Sequence, residues 1–192
     1  FKANSVKVAS GQSFVLDVFM VDNPGIVALK TTLEFDESVF ELKGVTNKMA
    51  FESYEDSKET DDGGNIVFES PYQMFWSSPQ ATENNTHNGD VISFEFDVKE
   101  AANLSDEIIR FNFVEAFDKD GNPVGGVSSK FAVDVCEVKV GDVDGSDRVN
   151  IWDAVLLRQH YFDGSDAKLL MDASDTNYDG NKTSVDSTYL NR

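Results

Sequence analysis

The sequence predicts a mostly β protein: a β-sandwich over residues 1–140 followed by a small helical module over residues 141–192. Two observations carry this reading. The first part consists of short runs that alternate apolar and polar residues between turn signals, with little of helical period, and that pattern argues for two packed sheets. The second part holds a twelve-residue pattern of side-chain oxygens that occurs twice, 33 residues apart.

In chain order, SVKVA and SFVLDVFMV read as strands, and Asn23, Pro24 and Gly25 supply a turn. IVALKTTLEF then alternates for ten residues, with Val27, Leu29, Leu33 and Phe35 on one face and Ala28, Lys30, Thr32 and Glu34 on the other. One face packs and the other meets solvent or a partner. VFELKGV, NIVFES, VISFEFDV, IIRFNFVEAF and KFAVDVCEVKV complete the strands. Short helices are expected only around Glu55–Glu59 and Glu100–Leu104.

Several stretches invite a functional reading and are weighed against a plainer one. ESYEDSKETDD holds six carboxylates in eleven residues without the alternate spacing of a metal loop, so a solvated loop is expected. In DKDGNPV, Asp118, Asp120 and Asn122 do alternate, but Ser129 stands where a twelfth-position carboxylate belongs, which leaves a turn between strands. SPYQMFWSSP carries Tyr72, Phe75 and Trp76, either packed inside the sandwich or forming a sugar-stacking platform. His87 and His160 lack metal-like spacing, and the single Cys136 is expected as a small apolar thiol in a strand.

The two loops are the most specific signal. The first places Asp142, Asp144, Ser146, Asn150 and Asp153 at positions 1, 3, 5, 9 and 12; the second places Asp175, Asn177, Asp179, Thr183 and Asp186 there. Calcium takes six to eight oxygens at about 2.3–2.6 Å, which alternate residues of a tight loop can supply. Arg148 and Asn181 at position 7 add backbone carbonyls, and each loop offers three carboxylates. Two calcium ions are therefore expected. Gly180 suits the sharp turn at position 6, where the first loop has Asp147.

An EF-hand has a helix before its loop and Glu at position 12; here a β-like run, VDVCEVKVG, precedes Asp142, and position 12 is Asp in both copies. A duplicated calcium loop followed, but not preceded, by a helix resembles the dockerin module of type I, over Gly141 to Arg192. That family docks secreted proteins onto cohesin modules in cellulosomes, with contacts at loop positions 10, 11, 17 and 18. The resemblance thus implies Ile151, Trp152, Arg158 and Gln159 from the first copy and Ser184, Val185, Asn191 and Arg192 from the second.

The stretches NPGIVALKTTLEFDESVFELKGV, NGDVISFEFDVKEAANLSDEIIRF and the DKDGNP turn together resemble the cohesin module, over residues 3–140. This implies a flattened jelly-roll sandwich whose exposed strand face receives a dockerin, with Ala28, Lys30, Thr32 and Glu34 near it. Lys30 departs from the acidic or amide residue of better-known cohesins. Only Val138 to Gly141 separates the parts, so a limited range of orientations is expected.

Composition narrows the function. The chain carries 35 Asp and Glu against 16 Lys and Arg, for a net charge of −19, which disfavours nucleic acid and anionic membrane as partners. No apolar run approaches bilayer length and no signal peptide begins at Phe1, so a mature or excised portion is expected. No nucleophile elbow, metal-hydrolase helix or phosphate loop is present, and a non-enzymatic protein is expected. The expected function is an extracellular adaptor scaffoldin: its cohesin-like part binds a dockerin-bearing protein, and its dockerin binds a cohesin of another scaffoldin. The alternatives are a carbohydrate-binding sandwich with polysaccharide as ligand, and a surface-layer fragment stiffened by calcium.

Overall fold

A computed structural model describes residues 1–99, 106–136, 139–146, 148–164, 169–177 and 181–190. Two sheets form a sandwich, as expected. The first is ordered β1 (Lys2–Ala3), β3 (Ser13–Met20), β10 (Gly89–Val98), β5 (Phe40–Asn47). The second is ordered β2 (Val6–Ala9), β12 (Ser129–Cys136), β11 (Asp106–Phe117), β4 (Ala28–Glu34), β9 (Tyr72–Ser77), β6 (Ser53–Asp56). All pairs are antiparallel except β2 with β12, which run parallel. A hairpin of β7 (Glu59–Thr60) and β8 (Ile66–Val67) stands apart.

The alternation seen in the sequence becomes the core. Leu16, Val18, Phe94 and Phe96 from one sheet, and Leu29, Leu33, Ile109, Phe111 and Val133 from the other, are all fully buried. Phe14, Phe35, Phe40 and Phe96 meet edge-on, stacked or tilted, with ring centroids 5.2–5.8 Å apart, within the range where aromatic pairs gain beyond simple burial. In β4, Leu29, Thr31 and Leu33 point inward while Ala28, Lys30, Thr32 and Glu34 lie on the outer face.

Two expectations need correction. Glu55–Glu59 is not helical: Ser53–Asp56 is the edge strand β6, paired with β9, and Glu59 begins β7. The acidic stretch around it is accordingly not a solvated loop throughout. Tyr54 packs on Trp76 at 5.3 Å and the Asp56 side chain is only 5% exposed; strand pairing and burial override the helix-forming Glu and Lys of this stretch. The expected helix at Glu100–Leu104 lies outside the described residues.

After β12 the chain turns at Lys139 and enters the first loop. Helix α1 (Ile151–Asp163) follows it, then a 3-10 turn at Met171–Ser174, the second loop, and a one-turn helix α2 (Asp186–Tyr189). Asn150 starts α1: its side chain accepts from the Trp152 N–H while Asp153 accepts from the Asn150 N–H, a capping box. Gly164, at φ 65°, ends it. A second, smaller core forms here from Val143, Leu157, Leu170 and Ala173, joined by Ala9 of β2.

Candidate calcium loops and docking faces

In the first loop, carboxylate oxygens of Asp142, Asp144 and Asp153 lie within 4.8 Å of one another. Asp142 is 3% exposed and Asp153 fully buried. Among the described residues no ion pair to any of the three is formed. Like charges this close, out of water, repel by several kcal/mol, on the order given by Coulomb's law at reduced dielectric. A divalent cation resolves that repulsion, and oxygens each about 2.4 Å from a shared ion are spaced as these are. The donor set is all oxygen, which suits calcium rather than zinc.

The loop backbone prepares the site. Asp153 accepts from Val143 N–H at 2.9 Å and Asp144 N–H at 3.3 Å on one oxygen, and from Asn150 N–H at 2.8 Å on the other. Ser146 N–H donates to Asp142 and Asp144, at 2.9 and 3.0 Å, closing the loop on itself. Asn150 Nδ2 and the Ser146 hydroxyl converge on the Arg148 carbonyl, at 3.1 and 3.4 Å. Burial alone would raise Asp144, but the Ser146 hydroxyl and amide, Asp142 and the Lys7 ammonium outweigh it and hold its carboxyl below the usual range.

The second loop repeats this pattern. Asp186, fully buried, accepts from Thr176 N–H at 3.0 Å and Asn177 N–H at 3.4 Å on one oxygen, and from Thr183 N–H at 2.8 Å on the other. Asp175 and Asn177 are half-buried and Asn181 and Thr183 exposed; Asp179 and Gly180 lie outside the described residues, as does Asp147 of the first loop.

Of the expected docking residues, Ile151 is 67% and Trp152 56% exposed, and Arg158 and Gln159 are exposed beside them on α1. Neither Ile151 nor Trp152 belongs to the sandwich core or to the smaller one. Phe162, 65% exposed with its ring 5.9 Å from the Arg158 guanidinium carbon, extends the same face by one turn. It was missed at the sequence level, although its i, i+4 spacing from Arg158 was the available signal. In the second copy Val185 is 51% exposed and Ser184 half-buried; Asn191 and Arg192 lie outside the described residues.

On the sandwich, the outer row of β4 sits mid-sheet. Lys30 is flanked by Phe75 and Glu115, Thr32 by Gln73 and Asn112, Glu34 by Arg110. Exposed Ile108 and Val114 on β11 add apolar area. The sugar-platform alternative does not survive: Tyr72 and Trp76 are fully buried, with Trp76 Nε1 donating to Asn47 at 2.8 Å, and only Phe75 reaches the surface. Strand alternation sends Tyr72, Met74 and Trp76 to one face and Phe75 to the other, so the three rings cannot share a surface.

Comparison with known proteins places the two parts. The cohesin domain family matches residues 1–132, and the dockerin type I domain family matches residues 140–192. Among solved structures, the chain is similar to the cohesin–dockerin complex Coh-OlpA-Doc918 of Clostridium thermocellum, at 17% identity over 70% of this chain and 96% of that one, TM-score 0.55. It is similar to the same degree to the sixth cohesin of Acetivibrio cellulolyticus scaffoldin B in complex with a Cel5 dockerin mutant, at 17% identity, 70% and 96% coverage and TM-score 0.55. The seventh ScaB type I cohesin of Pseudobacteroides cellulosolvens follows at 16% identity, 71% and 91% coverage and TM-score 0.53. At this identity the likeness shows the fold. No curated protein matches the chain.

Proposed function

We propose that this chain, which belongs to the cohesin family and carries a dockerin type I domain behind its cohesin domain, is a two-ended adaptor scaffoldin of a cellulosome-type complex. Cohesin and dockerin domains bind each other and are interaction modules, not catalysts, and type I dockerins are a calcium-binding family. One chain holding both halves can receive a dockerin-bearing protein at one end and plug into a cohesin of another scaffoldin at the other. The observation that carries this reading is that the two faces are open at once: Ile151 and Trp152 are exposed on α1, and the row of Ala28, Lys30, Thr32 and Glu34 lies, half-buried to exposed, on the outer face of its sheet.

In this reading two calcium ions order the module. Asp142, Asp144, Ser146, the Arg148 carbonyl, Asn150 and Asp153 hold one; Asp175, Asn177, Asp179, the Asn181 carbonyl, Thr183 and Asp186 hold the other. Ion binding fixes α1 and so presents Ile151, Trp152, Arg158, Gln159 and Phe162 as one rigid surface, which lowers the ordering cost of docking. Ser184, Val185, Asn191 and Arg192 form the corresponding face of the second copy. On the sandwich, Ala28, Lys30, Thr32 and Glu34 belong to the receiving face, with Phe75 as an exposed aromatic anchor. The calcium loops and the acidic composition support an extracellular setting for such a protein.

The test is a calcium-dependent binding screen of the full chain against panels of cohesins and of dockerins. Partners in both panels, with Trp152→Ala weakening only the cohesin arm and Lys30→Glu only the dockerin arm, are expected. Binding in one panel alone would leave a one-ended module.

A further inference from the structure

The small core of the dockerin module is not made by that module alone. Ala9, the last residue of β2, is fully buried, and it clusters with Val143, Leu157, Leu170 and Ala173 instead of with the sandwich core. Two residues earlier, Lys7 lies outward on the same strand. A Cβ at Gly145 would meet Lys7 Cε at 2.8 Å and Leu170 Cδ1 at 3.0 Å; the loop therefore passes against the Lys7 and Leu170 side chains, in a left-handed conformation at φ 65° that favours glycine. Leu169 and Leu170 continue along the sandwich, lining a groove of about 340 Å³ with Val6, Val8 and Phe14. The Leu170 N–H in turn bonds to the Val143 carbonyl at 2.8 Å, tying the groove wall to the first calcium loop.

From these contacts we propose that the β2 edge of the sandwich is a built-in binding partner of the dockerin: Lys7 and Ala9 form the missing wall of its core, and ion binding at the first loop stabilises the sandwich through them. The proposal rests on the calcium reading of the loops. Among the described residues the module itself supplies four buried members of this core, Val143, Leu157, Leu170 and Ala173, which is few for a module of about fifty residues, and a strand edge left bare is a site that natural sheets cover. The shared wall satisfies both needs. A ligand that binds only the folded form stabilises whatever folds with it, so loop and sandwich unfold as coupled units. The shared wall also fixes the orientation of α1 relative to the β4 face, which a flexible linker would leave free.

Trp76, fully buried in the sandwich, reports the test. In the full chain with Trp152→Phe, which leaves Trp76 as the sole tryptophan, its fluorescence follows thermal unfolding in saturating calcium and in chelator, while calorimetry counts bound ions. The expected result is a sandwich transition raised by calcium on the order of 5 °C. Ala9→Arg should remove that shift while leaving ion binding in place, because Ala9 belongs to the small core and not to that of the sandwich. Leu170→Ala, trimming the other wall, should reduce it. A Trp76 transition that ignores calcium while ions bind would overturn the coupling alone; a shift that survives both variants undiminished would overturn this wall as its route. Absence of ion binding would overturn the calcium reading and this inference together.

Discussion

Asp153 and Asp186 stand 33 residues apart in sequence and accept the same three bonds: each takes the N–H groups of positions 2 and 3 of its own loop on one oxygen and that of position 9 on the other. Both are fully buried. A carboxylate with this many charge-assisted bonds holds the loop closed whether or not it also touches an ion, and each such bond contributes about 1.5–3 kcal/mol.

Replacing either therefore removes a latch and, on the proposed calcium reading, a ligand with it. Asp153→Asn keeps the size but cannot accept from the Asn150 N–H through its amide nitrogen, and the same holds for Asp186→Asn with Thr183. In calorimetric titration each variant should lose one of two binding events or weaken it by at least roughly ten-fold. Unchanged isotherms for both would remove these loops from ion binding.

Chelation should unfold more than the loops. With Asp142, Asp144 and Asp153 crowded within 4.8 Å, withdrawal of the cation leaves mutual repulsion that the small core opposes weakly. The helical circular dichroism of α1 should fall in excess chelator and return with calcium. Persistence of the full helical signal would mean that the capping box and the sandwich suffice.

How much of this was readable beforehand follows from the range of the forces involved. The loops were legible because ligand spacing is local: alternate oxygens over twelve residues have few other uses. β4 was legible because its alternation reports one buried face. The helix expected at Glu55–Glu59 failed because β6 is made by pairing with β9, about twenty residues on, and a polar edge strand has no local signature. Nothing in Val6–Ala9 announces that Ala9 ends inside another core. That burial comes from residues more than 130 positions away in the chain.

Two buried tyrosines predict a response to alkali. Burial, more than anything else, pushes the Tyr54 and Tyr72 hydroxyls far above the ordinary tyrosine value; Tyr54 and Asp56 add to it at Tyr72. The unfolded chain loses these protons near pH 10, whereas the folded chain keeps them. The folded state then binds more protons, so stability is intact below about pH 10 and falls as pH rises through it, by up to about 1.4 kcal/mol per pH unit for Tyr72. Urea midpoints between about pH 9 and about pH 11 should show this slope, and Tyr72→Phe should flatten it. An equal slope in the variant would assign it to other groups.

The β4 face predicts separable loss of binding. Lys30 lies between Phe75 and Glu115, and Glu34 opposite Arg110, all outside the core. Reversing both charges, Lys30→Glu with Glu34→Lys, changes the pattern a partner reads but disturbs only surface pairs worth under about 1 kcal/mol. Dockerin capture should weaken while the melting temperature stays. Full retention of capture would move the receiving face to the other sheet.

The sharpest contrast lies between the two copies of the dockerin. A module with equivalent faces could bind in two orientations related by a half turn, but here the faces differ in size and support. The first offers Ile151 and Trp152 on a 13-residue helix, with Arg158 and Phe162 about two and three turns on; the second offers Ser184 and Val185 before a helix of four residues. Truncating a large exposed aromatic at the centre of an interface typically costs about 2 kcal/mol or more, and a rim valine well under about 1. Cohesin affinity should thus fall at least roughly thirty-fold for Trp152→Ala and less than about five-fold for Val185→Ala. Phe162→Ala should weaken binding along with Trp152→Ala, since both lie on one face of α1. Single-mode docking led by the first copy gives this asymmetry; equal losses at Trp152 and Val185 would establish two equivalent modes. A Trp152 variant that melts earlier but binds as before would assign the residue to the fold instead of the partner.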